Sequence, residues 1–290
     1  MVTMLGGDLM GHIIIHTLED SIKLLPFLFF AFLFIEAIEH KFNNKSKKII
    51  TKAGKLGPVM GSFLGCVPQC GFSVMATNLY VTRIISLGTL IAIYLSTSDE
   101  MVPILLSNQI PVSKIVFILI IKLLIGIIWG YIIDLIVFKR KKEEIKLFDI
   151  CDEDHCHCEK GIFTSSLIHT LKTYGFVLLV TFVLNIIIHY IGEENLSTVL
   201  HNKTILTPFL ASLVGLIPNC ASSVILTQLF VNKVISLGSL ISGLLTGSGV
   251  AILVLFKTNN NLRENIKILL ICYAIGVLSG LFLDILGFNL

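Results

Sequence analysis

The sequence predicts an all-α, polytopic membrane protein: an inverted repeat of two halves, each with a Pro-broken re-entrant or discontinuous helix, in about ten membrane segments. Three observations lead there. Hydrophobic residues make up 54% of the 290 positions and charged residues 14%, with a mean hydropathy of +0.89, the composition of a membrane protein. Apolar runs near 21–38, 84–107, 112–138, 164–191, 234–256 and 266–288 reach the roughly 20 residues that cross about 30 Å of hydrocarbon. The chain is also written twice: a shift of 150 positions lays residues 56–105 on 206–255 without a gap, identical at 20 of the 50 positions.

The elements follow in order. The first 20 residues carry no basic n-region and no small-residue cleavage site, so Gly11 to Asp20 reads as an interfacial lead-in and not as a removable signal peptide. Glu36, Glu39 and His40, late in the first span, read as a snorkelling surface cluster. Residues 41–55 hold six lysines and no acid, while the equivalent loop at 192–205 holds two glutamates and one lysine. The positive-inside rule makes the first cytoplasmic and the second external, which gives the halves opposite orientation. "KRKKEEIK" at 139–146 is basic again and puts the connection between halves in the cytoplasm. The chain thus divides into a first membrane repeat (1–140), a cytoplasmic Cys/His/acidic loop (141–161) and a second membrane repeat (162–290).

An even number of crossings must separate the two basic loops. If 84–107 and 112–138 each cross once, the segment around "GCVPQCGFS" (65–73) enters and returns on one side as a re-entrant hairpin. If that segment crosses, 101–107 must be a separate span of only seven residues; length favours the hairpin. Inverted repeats with paired broken helices are how many secondary transporters form a site near the bilayer midplane.

The breaks carry the chemistry. Irregular backbone survives in hydrocarbon only where it is buried in protein or lines a polar cavity. Pro68 removes a donor, and Gly65 and Gly71 permit a reversal. The tip presents Cys66, Gln69, Cys70 and Ser73, and its partner "GLIPNCASS" (215–223) presents Asn219, Cys220, Ser222 and Ser223. Of these, Cys66, Gln69, Cys70, Ser73, Asn219, Cys220 and Ser223 are the candidate substrate-binding residues. The bland alternative is that Pro68 and Pro218 kink two spanning helices and the cysteines pack as small residues. A second break follows at "STSDE" (96–100) and at "TGSGV" (246–250). Asp99 and Glu100 are the candidate carriers of a coupling proton or cation, because intramembrane acids are costly enough to be functional by default; the alternative is a surface loop between short helices. Asp134 and Asp284 recur near the ends of their spans, where interfacial, capping or packing roles weigh at least as much as transport.

The loop between the halves contains "CDEDHCHCE" (151–159), with Cys151, His155, Cys156, His157 and Cys158 among four acids. Thiolates and imidazoles suit zinc, copper or trivalent arsenic. The spacing is not that of a closed zinc finger, and a disordered acidic linker is the competing reading. The seven cysteines do not form a secreted disulfide framework, so reduced thiols are expected.

With "GCVPQCGFS" and "GLIPNCASSV" in place, the chain resembles the ten-helix heavy-metal exporter family, whose members are described as arsenic efflux proteins or manganese transporters. The resemblance covers essentially the whole chain, including the Pro-Gln-Cys and Pro-Asn-Cys pair and a His/Cys-rich central loop. It implies about ten membrane segments, which six crossings and two hairpins supply when each hairpin arm is counted.

The leading expectation is therefore a multi-pass permease of the cell membrane, not an enzyme, that exports a metal or metalloid ion and is driven by protons. Arsenite or a soft heavy metal suits Cys66, Cys70 and Cys220, whereas manganese suits Gln69, Asn219, Asp99 and Glu100. Its partners are the ion and the lipid bilayer, with no nucleic acid and no cofactor, and a homodimer is compatible with this reading. A passive channel is a third reading. A membrane thiol oxidoreductase using Cys66 and Cys70 is a rival of another class, but Leu216 stands where a second redox pair would need a cysteine. No Walker motif is present.

Overall fold

The structure is a computed structural model that describes residues 56–67, 70–98, 101–138, 162–191 and 206–287, with isolated positions between 22 and 33. The described residues are helical: α1 (Gly57–Gly65), α2 (Cys70–Val81), α3 (Leu87–Ser96), α4 (Met101–Ser107), α5 (Val112–Phe138), α6 (Ile162–Ile191), α7 (Thr207–Gly215), α8 (Cys220–Val231), α9 (Leu237–Thr246), α10 (Ala251–Thr258) and α11 (Leu262–Ile285). The order of α1–α5 recurs in α7–α11, with equal lengths in the first three pairs and similar lengths in the last two, as the 150-residue repeat leads one to expect.

The helix ends follow from local sequence. Pro58 and Pro208 stand in the first turns of α1 and α7, where a missing N–H costs nothing. The hydroxyls of Ser86 and Ser236 cap α3 and α9 by accepting from Thr89 N and Ser239 N. After α2 and α8 the chain turns through Arg83 (φ 62°) and Lys233 (φ 59°). Ile84 N donates to Leu79 O and Val234 N to Leu229 O, closing two matching left-handed helix ends.

Close contacts define the direction of each arm. A Cβ at Gly57 would collide with Thr89, and one at Gly65 with Ser96, so α1 runs parallel to α3 in tight contact. The chain returns along α2 and reaches the start of α3 through the short turn 82–86. The two arms α1 and α2 therefore enter and leave at the same end, which is the hairpin expected from the loop charges. Gly215 against Gly243 and Thr246 repeats the arrangement for α7, α8 and α9. In this half Ser242 Oγ donates to Pro208 O (2.7 Å) and Thr246 Oγ1 to Ser212 O (2.9 Å), side-chain bonds of the kind that join helices in lipid.

α5 and α11 run antiparallel to α3 and α9, with Gly88 against Gly130 and Gly238 against Gly280. The same pair of interfaces explains Asp134 and Asp284. Asp134 accepts from Ser86 Oγ (2.7 Å) and Gly88 N (2.8 Å), and Asp284 accepts from Ser236 Oγ (3.0 Å) and Gly238 N (3.1 Å). Each carboxylate satisfies the start of a neighbouring helix, where negative charge is favoured. Asp134→Ala or Asp284→Ala is expected to destabilise the protein by about 1–3 kcal/mol, read as a lower Tm in detergent.

Residues 88–96 of α3 and 237–246 of α9 are buried throughout, so these two helices form the centre. By contrast, Val116, Ile120, Leu124 and Ile128 form an exposed apolar stripe on α5, and Ile266, Leu270, Leu278 and Phe282 are exposed on α11. Such a belt fits lipid. Leu87–Ser107, Val112–Ile136, Leu237–Thr258 and Leu262–Ile285 are long and apolar enough to cross a membrane.

The halves interlock: α3 packs on α9, α2 on α10 and α8 on α4. Thr77 Oγ1 donates to Ser73 O (2.8 Å) and meets the Tyr94 hydroxyl at 2.6 Å, beside the carbonyl of Ala251. Farther along, the Arg83 guanidinium holds Glu264 with two bonds of 2.9 and 3.1 Å, and Tyr80 donates to the same carboxylate. Arg83 lies at the base of the first hairpin, whereas Glu264 opens α11.

Candidate functional site

The candidate site lies where a hairpin tip meets two helix breaks. α7 ends at Gly215 and α8 begins after Asn219, whose backbone is extended (φ −146°, ψ 146°) and whose side chain accepts from Ala221 N. This amide is 4% exposed. Ser222 Oγ donates to Asn219 O and Ser223 Oγ to Cys220 O, both at 2.8 Å, so the serine hydroxyls brace the tip. α3 stops at Ser96 because Thr97 turns extended (ψ 130°), and α9 stops at Thr246, followed by Gly247 and the left-handed Gly249 (φ 55°).

These three pieces enclose a cavity of about 10 Å³, lined by Thr97 and Ser98 from the first break, Asn219, Cys220, Ser222 and Ser223 from the second tip, and Leu244, Gly247 and Gly249 from α9 and the second break. That is room for one water-sized species. The lining offers a thiol, an amide and hydroxyls. Ser248, 1% exposed, sits within the same break, and its hydroxyl has no hydrogen-bond partner.

Of the residues chosen from sequence, Asn219, Cys220 and Ser223 therefore share one cavity. Cys66 is half-buried at the end of α1. Ser73 is buried on α2, where its carbonyl accepts from Thr77. Cys70 begins α2, but its side chain lies outside the described residues, as do Gln69, Asp99, Glu100 and the loop group Cys151, His155, Cys156, His157 and Cys158. Among the described residues no cluster of three His, Cys, Asp or Glu side chains could hold a metal. Among the described residues, Cys66, Cys220 and Cys272 form no disulfide.

Sequence reasoning missed Lys122. This lysine is the eleventh residue of α5, about 16 Å along it, and is 0% exposed. Its ammonium donates to Thr97 O, at the end of α3, and to Leu244 O (3.3 Å), in the last turn of α9. Cys66 lies within its electrostatic reach. A charge in mid-span is a functional signal; here it was hidden inside a run scored only for its apolar length. At the 150-residue offset the second half has Cys272, 1% exposed.

The comparisons with known proteins agree with this architecture. No curated protein and no solved structure matches the chain. A family model described as "Putative, 10TM heavy-metal exporter" matches residues 10–182 and 170–289, two overlapping stretches that together cover nearly the full length. The chain belongs to this ten-transmembrane heavy-metal exporter family and is a multi-pass membrane protein.

Proposed function

We propose that the protein exports a thiophilic metal or metalloid, of the arsenite type, from the cytoplasm across the cell membrane, coupled to protons. The observation that carries this reading is the cavity shared by Cys220 and Asn219 with both helix breaks. Helix breaks supply partial charges and free backbone groups near the midplane, and a thiol adds preference for a soft element. Cys66 and Cys70 on the first tip complete a set of up to three sulfurs when the tips approach each other. Gln69, Ser73 and Ser223 frame that set.

The halves act as inverted units. In each half the last helix starts at the end opposite its hairpin base, and the base of the first half, at Arg83, pairs with the start of α11, at Glu264. That pairing supports opposite orientation of the halves, as the basic loop at 41–55 and the acidic loop at 192–205 do. Residues 1–140 and 162–290 are then the two moving repeats. Cys151, His155, Cys156, His157 and Cys158 capture the ion on the cytoplasmic side.

Asp99 and Glu100 carry the coupling proton. The double variant Asp99→Asn, Glu100→Gln is expected to lose uphill transport driven by a pH gradient while retaining downhill exchange; a variant that still concentrates substrate assigns coupling elsewhere. Manganese or another divalent cation is the second reading, favoured by the oxygen donors of Thr97, Ser98, Asn219 and Ser222 around the cavity. Inside-out vesicles assayed with arsenite, manganese, zinc and iron separate these readings. Accumulation of arsenite is the expected result, and accumulation of none of the four rejects both.

A further inference from the structure

We propose that the Lys122 ammonium is a built-in cation that occupies the crossing of the two broken helices, closes it to inorganic cations, and so reserves the adjoining cavity, which must widen beyond its water-sized volume to admit a substrate, for an uncharged metalloid acid. The inference rests on the transport reading above and names the residue that sets substrate charge. Helix C-termini carry about half a negative charge each, and α3 and α9 both end at the crossing. Bare, this pair of ends with its unsatisfied carbonyls is a cation site, because backbone oxygens and about one net negative charge are what a metal ion needs there. Lys122 fills it from α5: one ammonium spans Thr97 O and Leu244 O, and its positive charge cancels the two helix ends.

The same two residues, Thr97 and Leu244, line the cavity that holds Cys220 and Asn219. A substrate there meets helix ends whose negative charge is already neutralised, so little is left to offset the cost of bringing a divalent ion out of water. A divalent metal ion gains no net attraction from the helix ends and finds the carbonyls of Thr97 and Leu244 already taken. An uncharged acid of a soft element meets no such penalty and still meets the thiol. The second half has no equivalent ammonium, since Cys272 stands at the position of Lys122, so one lysine serves both helix ends.

The test uses the full chain purified in detergent and titrated with manganese(II) or sodium, reading thermal unfolding, and then the same protein in liposomes. Wild-type protein and Lys122→Arg are expected to show no manganese-dependent rise in Tm and no manganese competition against arsenite flux. Lys122→Met, which empties the crossing, is expected to gain manganese binding by about 100-fold or more, of the order expected for removing a fixed positive charge beside a divalent ion. Lys122→Gln removes the charge but keeps a donor for one carbonyl. It is expected to become manganese-sensitive in the same direction, and it serves as the readout where Lys122→Met does not fold. Manganese stabilising or crossing with the wild type as readily as with the neutral variants overturns the assignment of Lys122 while leaving export intact. Folded neutral variants that remain indifferent to both cations overturn it as well. A wild type that moves neither arsenite nor manganese overturns the transport reading, and this inference falls with it.

Discussion

Cells expressing the Cys70→Ser, Cys220→Ser double variant are expected to lose arsenite efflux by about 100-fold or more, with wild-type amounts of protein in the membrane. A trivalent thiophilic centre gains its affinity from sulfur, and a hydroxyl in the same place is a hard, weakly basic ligand. Each tenfold step in affinity corresponds to about 1.4 kcal/mol, so a 100-fold loss amounts to about 2.8 kcal/mol shared between the two sulfurs. The two positions are equivalent in the repeat, and Cys220 already lines the cavity at the crossing. The serine variant conserves size and disturbs little packing, which isolates ligand chemistry from stability. Cellular arsenic content and growth in arsenite are the readouts; unchanged values mean that the sulfurs do not bind substrate.

Gly88→Leu and Gly238→Leu should abolish folding or cost about 3 kcal/mol or more each. At either position even a Cβ would strike a backbone carbonyl, of Gly130 or Gly280, and the carboxylate of Asp134 or Asp284. The collision forces apart the innermost helix and the long helix packed on it, which also breaks the carboxylate cap. Small residues at such contacts let helices approach closely in lipid, where packing replaces the hydrophobic effect as the driving force. Gly175 on α6 provides the control, because nothing stands within 4 Å of its Cβ position; Gly175→Ala is expected to be neutral or to stabilise by up to about 1 kcal/mol through helix propensity. Equal Tm values for Gly88→Leu and Gly175→Ala would show that the close contact carries no weight.

Much of this architecture was legible because the repeat doubled every signal. The break expected around 65–73 falls between Gly57–Gly65 and Cys70–Val81, and the break expected at 96–100 follows the end of α3 at Ser96. The boundaries moved where capping outweighed hydropathy. The apolar run from 84 becomes a helix only at Leu87, since Ser86 caps it. The run taken to start at 266 begins at Leu262, because Asn261 caps a polar first turn containing Glu264. Asp134 and Asp284 resolved to capping and packing, the alternative that their place near span ends already allowed. Lys122 was missed for the opposite reason: hydropathy over a 27-residue helix dilutes one charge, and nothing local to it in sequence reveals that Thr97 and Leu244 meet its ammonium. Contacts between the halves, such as Arg83 with Glu264, connect residues too far apart for any periodicity to relate. The repeat shows that the halves are alike and is silent on which faces meet.

The most direct test is arsenite flux in proteoliposomes containing the purified chain, with a proton gradient imposed across the membrane and no other energy source. Arsenite should accumulate against its gradient with the wild type, stop when the proton gradient is collapsed, and fail to accumulate with Cys70→Ser, Cys220→Ser. Accumulation by the double variant at the wild-type rate, or an absence of gradient-driven flux in the wild type, would contradict a proton-coupled exporter that binds its substrate at the two hairpin tips.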